Sequence, residues 1–203
     1  TYYFTTGWTS SYPETTGYII PTLLRYAQSP KSESSWAKSA QQSALDAGEW
    51  LLSIQRADGG WPGGYVHQNR PSIVFNTGQI LRGTLAIFEH TGDERFKRAS
   101  ERAILWIWNQ LDASGRFSTS DYMGEVRVYG TYVAAPILDW AVHCPNCADE
   151  WKSLAIRHLD WVLTQQNELG WFANCDNTTQ HNDRPIIHTL AYTVDGIWDC
   201  AQR

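Results

Sequence analysis

The chain has 203 residues, 42% of them apolar, and a formal net charge of −5 with acidic and basic side chains interspersed. This composition is enough to bury a core, so the chain is not a disordered one. It offers no basic stripe for a nucleic-acid backbone, and no apolar run approaches the roughly 20 residues that a bilayer span requires. With no signal-peptide pattern at its start, we expect a soluble protein of unassigned compartment that binds no nucleic acid.

Apolar residues recur at three- and four-residue steps along most of the chain, which predicts helices. In chain order we expect helices that include residues 19–27, 36–54, 80–88, 94–111, 133–140, 149–166 and 190–198. The first, third, fifth and seventh carry few charges and should be buried on most sides, whereas the others are amphipathic. The sequence therefore predicts an all-α fold of helical hairpins, with the apolar helices inside and the amphipathic helices outside.

An internal repeat accompanies these hairpins. Three tryptophans stand 56 and then 55 residues apart, each is followed by an aromatic residue eleven positions later, and we assign all three to the core: Trp50, Trp106 and Trp161. A glycine that suits a helix stop precedes each of those aromatics: Gly59, Gly115 and Gly170. The inner helices begin at aligned residues: Glu14, Phe75, Tyr129 and His188. A period of this length is typical of stacked helical hairpins.

The segment Gln55-Arg-Ala-Asp-Gly-Gly-Trp61 resembles the Gln-x3-Gly-x-Trp repeat of the squalene-cyclase and protein-prenyltransferase toroids. The chain also looks like the wider six-hairpin group of glycan hydrolases, polysaccharide lyases and sugar epimerases. Within that group, the segments that begin at Tyr12 and His188 are similar to uncharacterised toroid proteins that accompany bacterial polysaccharide genes. The resemblance implies one α/α-toroid domain over residues 1–203. Six hairpins would need about 330 residues, so we expect part of a ring and a fragment or processed chain.

Four cysteines leave several interpretations open. Cys144 and Cys147 form a Cys-x-x-Cys pair, which suits either half of a zinc site or a disulfide. Cys175 stands beside Asp176 and upstream of His188, a set of ligand-type side chains without a metal-site spacing. We expect ordinary buried or loop thiols at all four positions, no metal and no cofactor.

The loops that lead from outer to inner helices, at 59–74, 115–128 and 170–187, are long and rich in aromatic and amide side chains, as functional loops often are. Glu14 heads an inner helix, whose dipole favours the ionised carboxylate, so it is the first catalytic candidate; a helix-capping acid is the alternative. Asp121 would supply a second carboxylate and His188 a proton-transfer group. A solvated loop acid and a histidine bonded to a neighbouring loop are the alternatives there.

Flat aromatic faces with hydrogen-bonding neighbours suit sugar rings, which have apolar faces and hydroxyl edges. The predicted substrate-binding residues are Tyr12, Tyr65, His67, Arg70, Asn76, Tyr122, Arg127, Tyr129 and Trp171. Either arginine would pair with a uronate carboxylate, unless it forms only surface salt bridges. The aromatic candidates would alternatively serve the packing of the repeat, the role we assign to Trp61.

These residues favour a carbohydrate-active enzyme that cleaves or remodels a poly- or oligosaccharide by acid/base chemistry, such as a glycoside hydrolase. A uronate lyase or epimerase and a noncatalytic glycan-binding or assembly module are alternatives. A terpene cyclase is disfavoured because the chain has no Asp-x-Asp-Asp motif. The first and last inner helices of a partial ring would each leave one apolar flank open, so we also expect a homodimer.

Overall fold

A computed structural model describes residues 2–118, 121, 124–177 and 186–203. Seven α-helices account for most of this part of the chain: α1 (Pro13–Gln28), α2 (Ser34–Ile54), α3 (Val74–Thr91), α4 (Glu94–Trp108), α5 (Thr131–His143), α6 (Ala148–Leu163) and α7 (Ile187–Ala201). The predicted all-α class is therefore confirmed for the described residues. Among these helices, none combines the length and the apolar character needed to cross a membrane.

The predicted helices are all present, with small differences at their ends. α1 begins at Pro13, since proline suits the first turn of a helix, where a backbone N–H would have no intrahelical acceptor. α4 and α6 each end three residues before the predicted position. There the backbone N–H groups of Leu111 and Gln166 donate three residues back, to Trp108 and Leu163, so each helix finishes in a tighter turn.

The chain forms two compact units, Thr1–Leu105 and Trp106–Arg203, whose boundary lies within α4. In the first unit, α1 packs against both α2 and α3. In the second unit, α5 packs against both α6 and α7. A short antiparallel β-hairpin, β1 (Tyr2–Tyr3) and β2 (Gly7–Trp8), precedes α1 and was not predicted.

The turn after each outer helix has the same backbone geometry three times. Its glycines all have a left-handed φ, 99° at Gly59 and 87° at both Gly115 and Gly170. Each glycine N–H donates to the carbonyl oxygen of the residue three positions earlier. That earlier residue donates its own backbone N–H to the carbonyl oxygen four positions further along the chain. The aromatic residues that follow are all buried: Trp61, Phe117 and Phe172. The sequence repeat is therefore also a structural one.

Successive inner helices cross in the same register in both units. We count positions from the aligned starts, so that Glu14, Phe75, Tyr129 and His188 are position 0. In the first unit, a Cβ on Gly17 (position 3) would lie 2.5 Å from the Cα of Ile80, and one on Gly83 (position 8) would lie 2.5 Å from the carbonyl oxygen of Gly17. In the second, a Cβ on Gly196 (position 8) would lie 2.5 Å from Thr131. Positions 2 and 3 of one inner helix thus meet position 8 of the next.

Burial differs among the inner helices. α3 and α5 are buried along most of their length, as predicted. α1 and α7 bury only four residues each, so burial on most sides does not hold for them; each has an exposed flank, as expected for the first and last inner helices. Of the three repeat tryptophans, Trp106 is buried, whereas Trp50 and Trp161 are half-buried because their outer helices keep one face in solvent.

The cysteines behave in two ways. Cys144 and Cys147 form a disulfide between the end of α5 and the start of α6, so the expectation of free thiols is wrong for this pair. Cys175 and Cys200 are buried thiols outside any disulfide, as expected. Within the described ranges, no group of three or more His, Cys, Asp or Glu side chains is arranged to hold a metal ion.

Candidate functional site

The first long loop, residues 59–73, is held in place by its own hydrogen bonds. The Asp58 carboxylate accepts bonds from the Ser72 hydroxyl, at 2.9 and 3.0 Å, and from the N–H of Gly60 at 3.0 Å. Trp61 is fully buried and its indole N–H donates to the carbonyl of Leu51 at 2.8 Å, which confirms the packing role assigned to it. The loop is therefore a rigid support for the side chains at its tip.

That tip lies against the start of α1. The N–H of Val66 donates to the carbonyl oxygen of Ser11 at 3.1 Å. The rings of Tyr65 and Tyr12 meet edge to face with centroids 5.3 Å apart. Tyr65 also shares a 3.1 Å hydroxyl hydrogen bond with Tyr3 and stacks on His67 at 5.8 Å. We call Tyr3, Tyr12, Tyr65 and His67 the aromatic cluster.

Glu14 stands beside this cluster, in the first turn of α1. Burial raises the pKa of Glu14 to about 7, although a hydrogen bond with Tyr12 lowers the pKa in part. The sequence-based expectation of an ionised carboxylate is therefore wrong at pH values below about 7. A carboxyl group that is half protonated near neutrality can act as a proton donor as well as an acceptor.

The other candidates of the first unit surround the same loop. His67 and Arg70 are exposed, and the Arg70 side chain runs along Gly64, where a Cβ would lie 3.3 Å from its Cδ. Asn76 lies in the first turn of α3 and is 5% exposed. Its side-chain nitrogen has no hydrogen-bond partner among the described residues. The structure thus brings together Glu14, Tyr12, Tyr65 and His67, and it buries Asn76.

The candidates of the second unit are mostly interior. Asp121 is 3% exposed and Tyr129 is 4% exposed. Arg127 is 1% exposed and its guanidinium donates to the main-chain oxygen of Asp176. It therefore does not form the surface salt bridge that the sequence allowed. Its burial also disfavours pairing with a uronate carboxylate. Trp171 is half-buried beside the repeated turn. Tyr122 lies outside the described residues.

His188 and Cys175 differ in accessibility. His188 is exposed at the start of α7, with its ring 4.6 Å from that of Tyr192. Cys175 is fully buried, where burial raises the pKa of its thiol, and its sulfur lies 3.5 Å from the Thr193 hydroxyl. A buried protonated thiol is a poor nucleophile and a poor metal ligand. Cys175 therefore serves packing rather than chemistry.

Sequence patterns did not identify the aromatic side chains of the β1–β2 hairpin. Tyr2 is 51% exposed, Phe4 99% and Trp8 81%, and the Tyr2 ring contacts both others edge to face. The hairpin extends the aromatic cluster because Tyr3 belongs to both. The one local signal is Gly7, which has a left-handed φ of 78° and begins the second strand directly after the turn.

Taken with the repeat, these contacts define helical hairpins that carry a carboxyl group and an aromatic surface in the first unit. They do not by themselves identify a toroid superfamily. No protein-family model matches this chain, and no curated protein sequence matches it either.

Proposed function

We propose that the chain is a carbohydrate-active enzyme in which Glu14 is the general acid. The observation that carries the proposal is a carboxyl group with a pKa of about 7 beside a partly exposed aromatic cluster. Aromatic faces stack on the apolar faces of sugars, and tyrosine and histidine polar atoms reach sugar hydroxyls. A protonated glutamic acid at that surface would protonate the oxygen of the leaving sugar, which is the first step of glycosidic cleavage.

Asp121 and His188, in the second unit, remain separate candidates for acid/base chemistry. The α/α-toroid arrangement of the hairpins is part of the same proposal, as is a homodimer. Elimination from a uronate is less favoured than hydrolysis, because buried Arg127 is held by the protein's own main chain. Exposed Arg70 is then the remaining partner for a uronate among the arginines singled out above.

A polysaccharide screen of the purified chain tests the activity, with reducing ends and unsaturated uronates followed together. Glu14→Gln should lower kcat/KM by more than about tenfold, equivalent to about 1.4 kcal/mol of transition-state stabilisation. The matched control is Glu94→Gln, which changes another first-turn glutamate, exposed and 3.6 Å from Lys97. For the wild type, kcat/KM should fall as the pH rises through about 7, where Glu14 loses its proton. Persistent activity in Glu14→Gln would rule out this role.

A noncatalytic glycan-binding module is the second candidate, and the exposed aromatic hairpin favours it. In that case the wild type would bind polysaccharide without releasing reducing ends or unsaturated products. Trp8→Ala would weaken binding, whereas Glu14→Gln would leave it unchanged. Calorimetric titration of the wild type and both variants with the same panel of polysaccharides separates the two functions.

A further inference from the structure

The flank of α7 that is open to solvent forms an apolar stripe. Its residues follow one another at helical spacing, at positions −1, 3, 6 and 10 of the repeat: Ile187, Ala191, Val194 and Trp198. Ile187 is 85% exposed, Val194 50% and Trp198 66%. A continuous row of exposed apolar side chains on one helix face is typical of an interaction surface. We call this row the α7 stripe.

The same four positions are buried in α1. There they are occupied by Pro13, Gly17, Ile20 and Leu24, the complete set of buried residues in that helix. Gly17 and Ile20 contact α3 at Ile80 and Gly83. The α7 stripe therefore corresponds to the face of α1 that contacts α3, the next inner helix, in parallel orientation.

The complementary half-interface also recurs in the repeat. In α3, positions 5 and 8 contact the preceding inner helix, α1. In α7, positions 4, 5, 8 and 12 contact α5. There Tyr192 stacks on Tyr132, the Thr193 carbonyl accepts a hydrogen bond from Thr131, and Gly196 and Cys200 face α5. In α1, positions 5, 8 and 12 are Ile19, Thr22 and Tyr26. Ile19 is 43% and Tyr26 44% exposed, and Thr22 is exposed as well. We call these three residues the α1 stripe.

We propose that the α7 stripe binds the α1 stripe of a second copy of this chain, head to tail and with parallel helices. The α7 stripe occupies the positions that contact the following inner helix in the repeat, and the α1 stripe occupies those that contact the preceding one. Neither stripe contains a charged residue. The two helices must lie further apart than inside a unit, because Thr22 occupies position 8, where α3 and α7 have glycine, and Ala191 occupies position 3, where α1 has glycine. The copies therefore associate more weakly than the helices within a unit pack. Such heterologous contacts close into a ring or extend into longer assemblies.

The test uses light scattering and sedimentation at about 10 to 200 μM, a range suited to a small interface. The wild type should have a mass of at least twice 23.1 kDa at the upper concentrations. Val194→Asp and Ile19→Asp each place a charge in one stripe and should weaken self-association at least about tenfold. Val142→Asp is the matched control, since Val142 is 76% exposed on α5 outside both stripes. Circular dichroism confirms that each variant is folded.

Mixing the two stripe variants distinguishes head-to-tail binding from a symmetric dimer. Ile19→Asp keeps its α7 stripe and Val194→Asp keeps its α1 stripe, so their mixture should form a one-to-one complex that grows no further. A dimer through two α7 stripes would instead leave Ile19→Asp associated by itself and give no complex in the mixture. A monomeric wild type at about 200 μM, or association unaffected by either substitution, would overturn the proposal.

Discussion

At the scale of single residues, Glu14 shows burial outweighing a helix dipole. A first-turn carboxylate gains about 0.3–1 kcal/mol from the dipole, which is worth less than one pKa unit. Loss of hydration can shift a buried carboxyl by several units in the opposite direction. The pKa of Glu14 accordingly rises from 4.5 to about 7 in spite of the dipole and the Tyr12 hydrogen bond. The sequence indicates the helix start but not how deeply the side chain is covered.

This shift makes the stability of the first unit depend on pH. The folded state holds the Glu14 proton up to about pH 7, whereas the unfolded chain releases it near pH 4.5, so stability falls as the pH rises between these values. Glu14→Gln keeps an oxygen for the Tyr12 hydrogen bond and removes the charge. We expect it to stabilise the protein by up to about 3 kcal/mol at pH 8 and by under about 1 kcal/mol at pH 5.

Chemical unfolding followed at both pH values measures this difference. Glu94→Gln, at an exposed position with only a surface ion pair, should differ from the wild type by a few tenths of a kcal/mol at either pH. A Glu14→Gln variant that is less stable than the wild type at pH 8 would show that the carboxylate is solvated or paired in the folded state.

At the scale of the helix and turn, Gly115 and Gly170 form a natural comparison. Both have a φ of 87° in the same repeated turn. A Cβ on Gly115 would lie 2.3 Å from the main-chain oxygen of Arg157, whereas a Cβ on Gly170 would meet nothing within 4 Å. Gly59 resembles Gly115, because a Cβ on Gly59 would lie 2.6 Å from the main-chain oxygen of Arg102. The turn therefore packs against the next outer helix wherever the described chain provides one.

We expect Gly170→Ala to cost about 1–2 kcal/mol, from left-handed strain alone. Gly115→Ala should cost at least about 1–3 kcal/mol more, because the backbones of the turn and α6 must also move apart. Urea unfolding of both variants gives the difference. Equal losses would mean that the turn and α6 separate without cost, and that the repeat is held together elsewhere.

Periodicity predicts these elements well and their surroundings poorly. The hairpins follow from apolar spacing and from the recurring tryptophan and glycine positions, which are local in sequence. The disulfide does not, because a Cys-x-x-Cys pair suits a metal or a bridge equally well until the backbone places the two sulfurs together. The β1–β2 hairpin has strands of only two residues, too short for any alternation to be visible.

At the scale of the whole molecule, the candidate site was predictable only in its first unit. Glu14, Tyr12 and Tyr65 lie together because the loop after α2 returns to the start of α1, as the hairpin repeat implies. Loop position alone could not reveal that Arg127 and Asp121 are interior, since burial depends on contacts far along the chain, such as the bond from Arg127 to Asp176. Polar residues in long loops are usually exposed, and these two are not.

The second unit carries a buried group whose response to pH is opposite to that of Glu14. His158 is fully buried, its Nδ1–H donates to the carbonyl oxygen of Gly115 at 2.8 Å, and its ring lies 4.6 Å from that of Phe117. Burial lowers the pKa of His158 to about 4, although the Gly115 hydrogen bond raises it. The unfolded chain takes up this proton near pH 6.5 and the folded state does not, so acid destabilises the second unit.

The two units should therefore change stability in opposite directions between pH 7 and pH 5. From the two pKa shifts, the first unit gains up to about 2 kcal/mol on acidification and the second loses up to about 2 kcal/mol. Native-state hydrogen exchange, corrected for intrinsic rates, measures this separately from the amides of α3 and α5, which lie in different units. Glu14→Gln should remove the gain in α3 and leave the loss in α5, and His158→Gln should do the reverse. If α3 and α5 change protection in the same direction, the half-buried carboxyl of Glu14 and the buried imidazole of His158 do not control acid stability, because their linkage to folding has opposite signs.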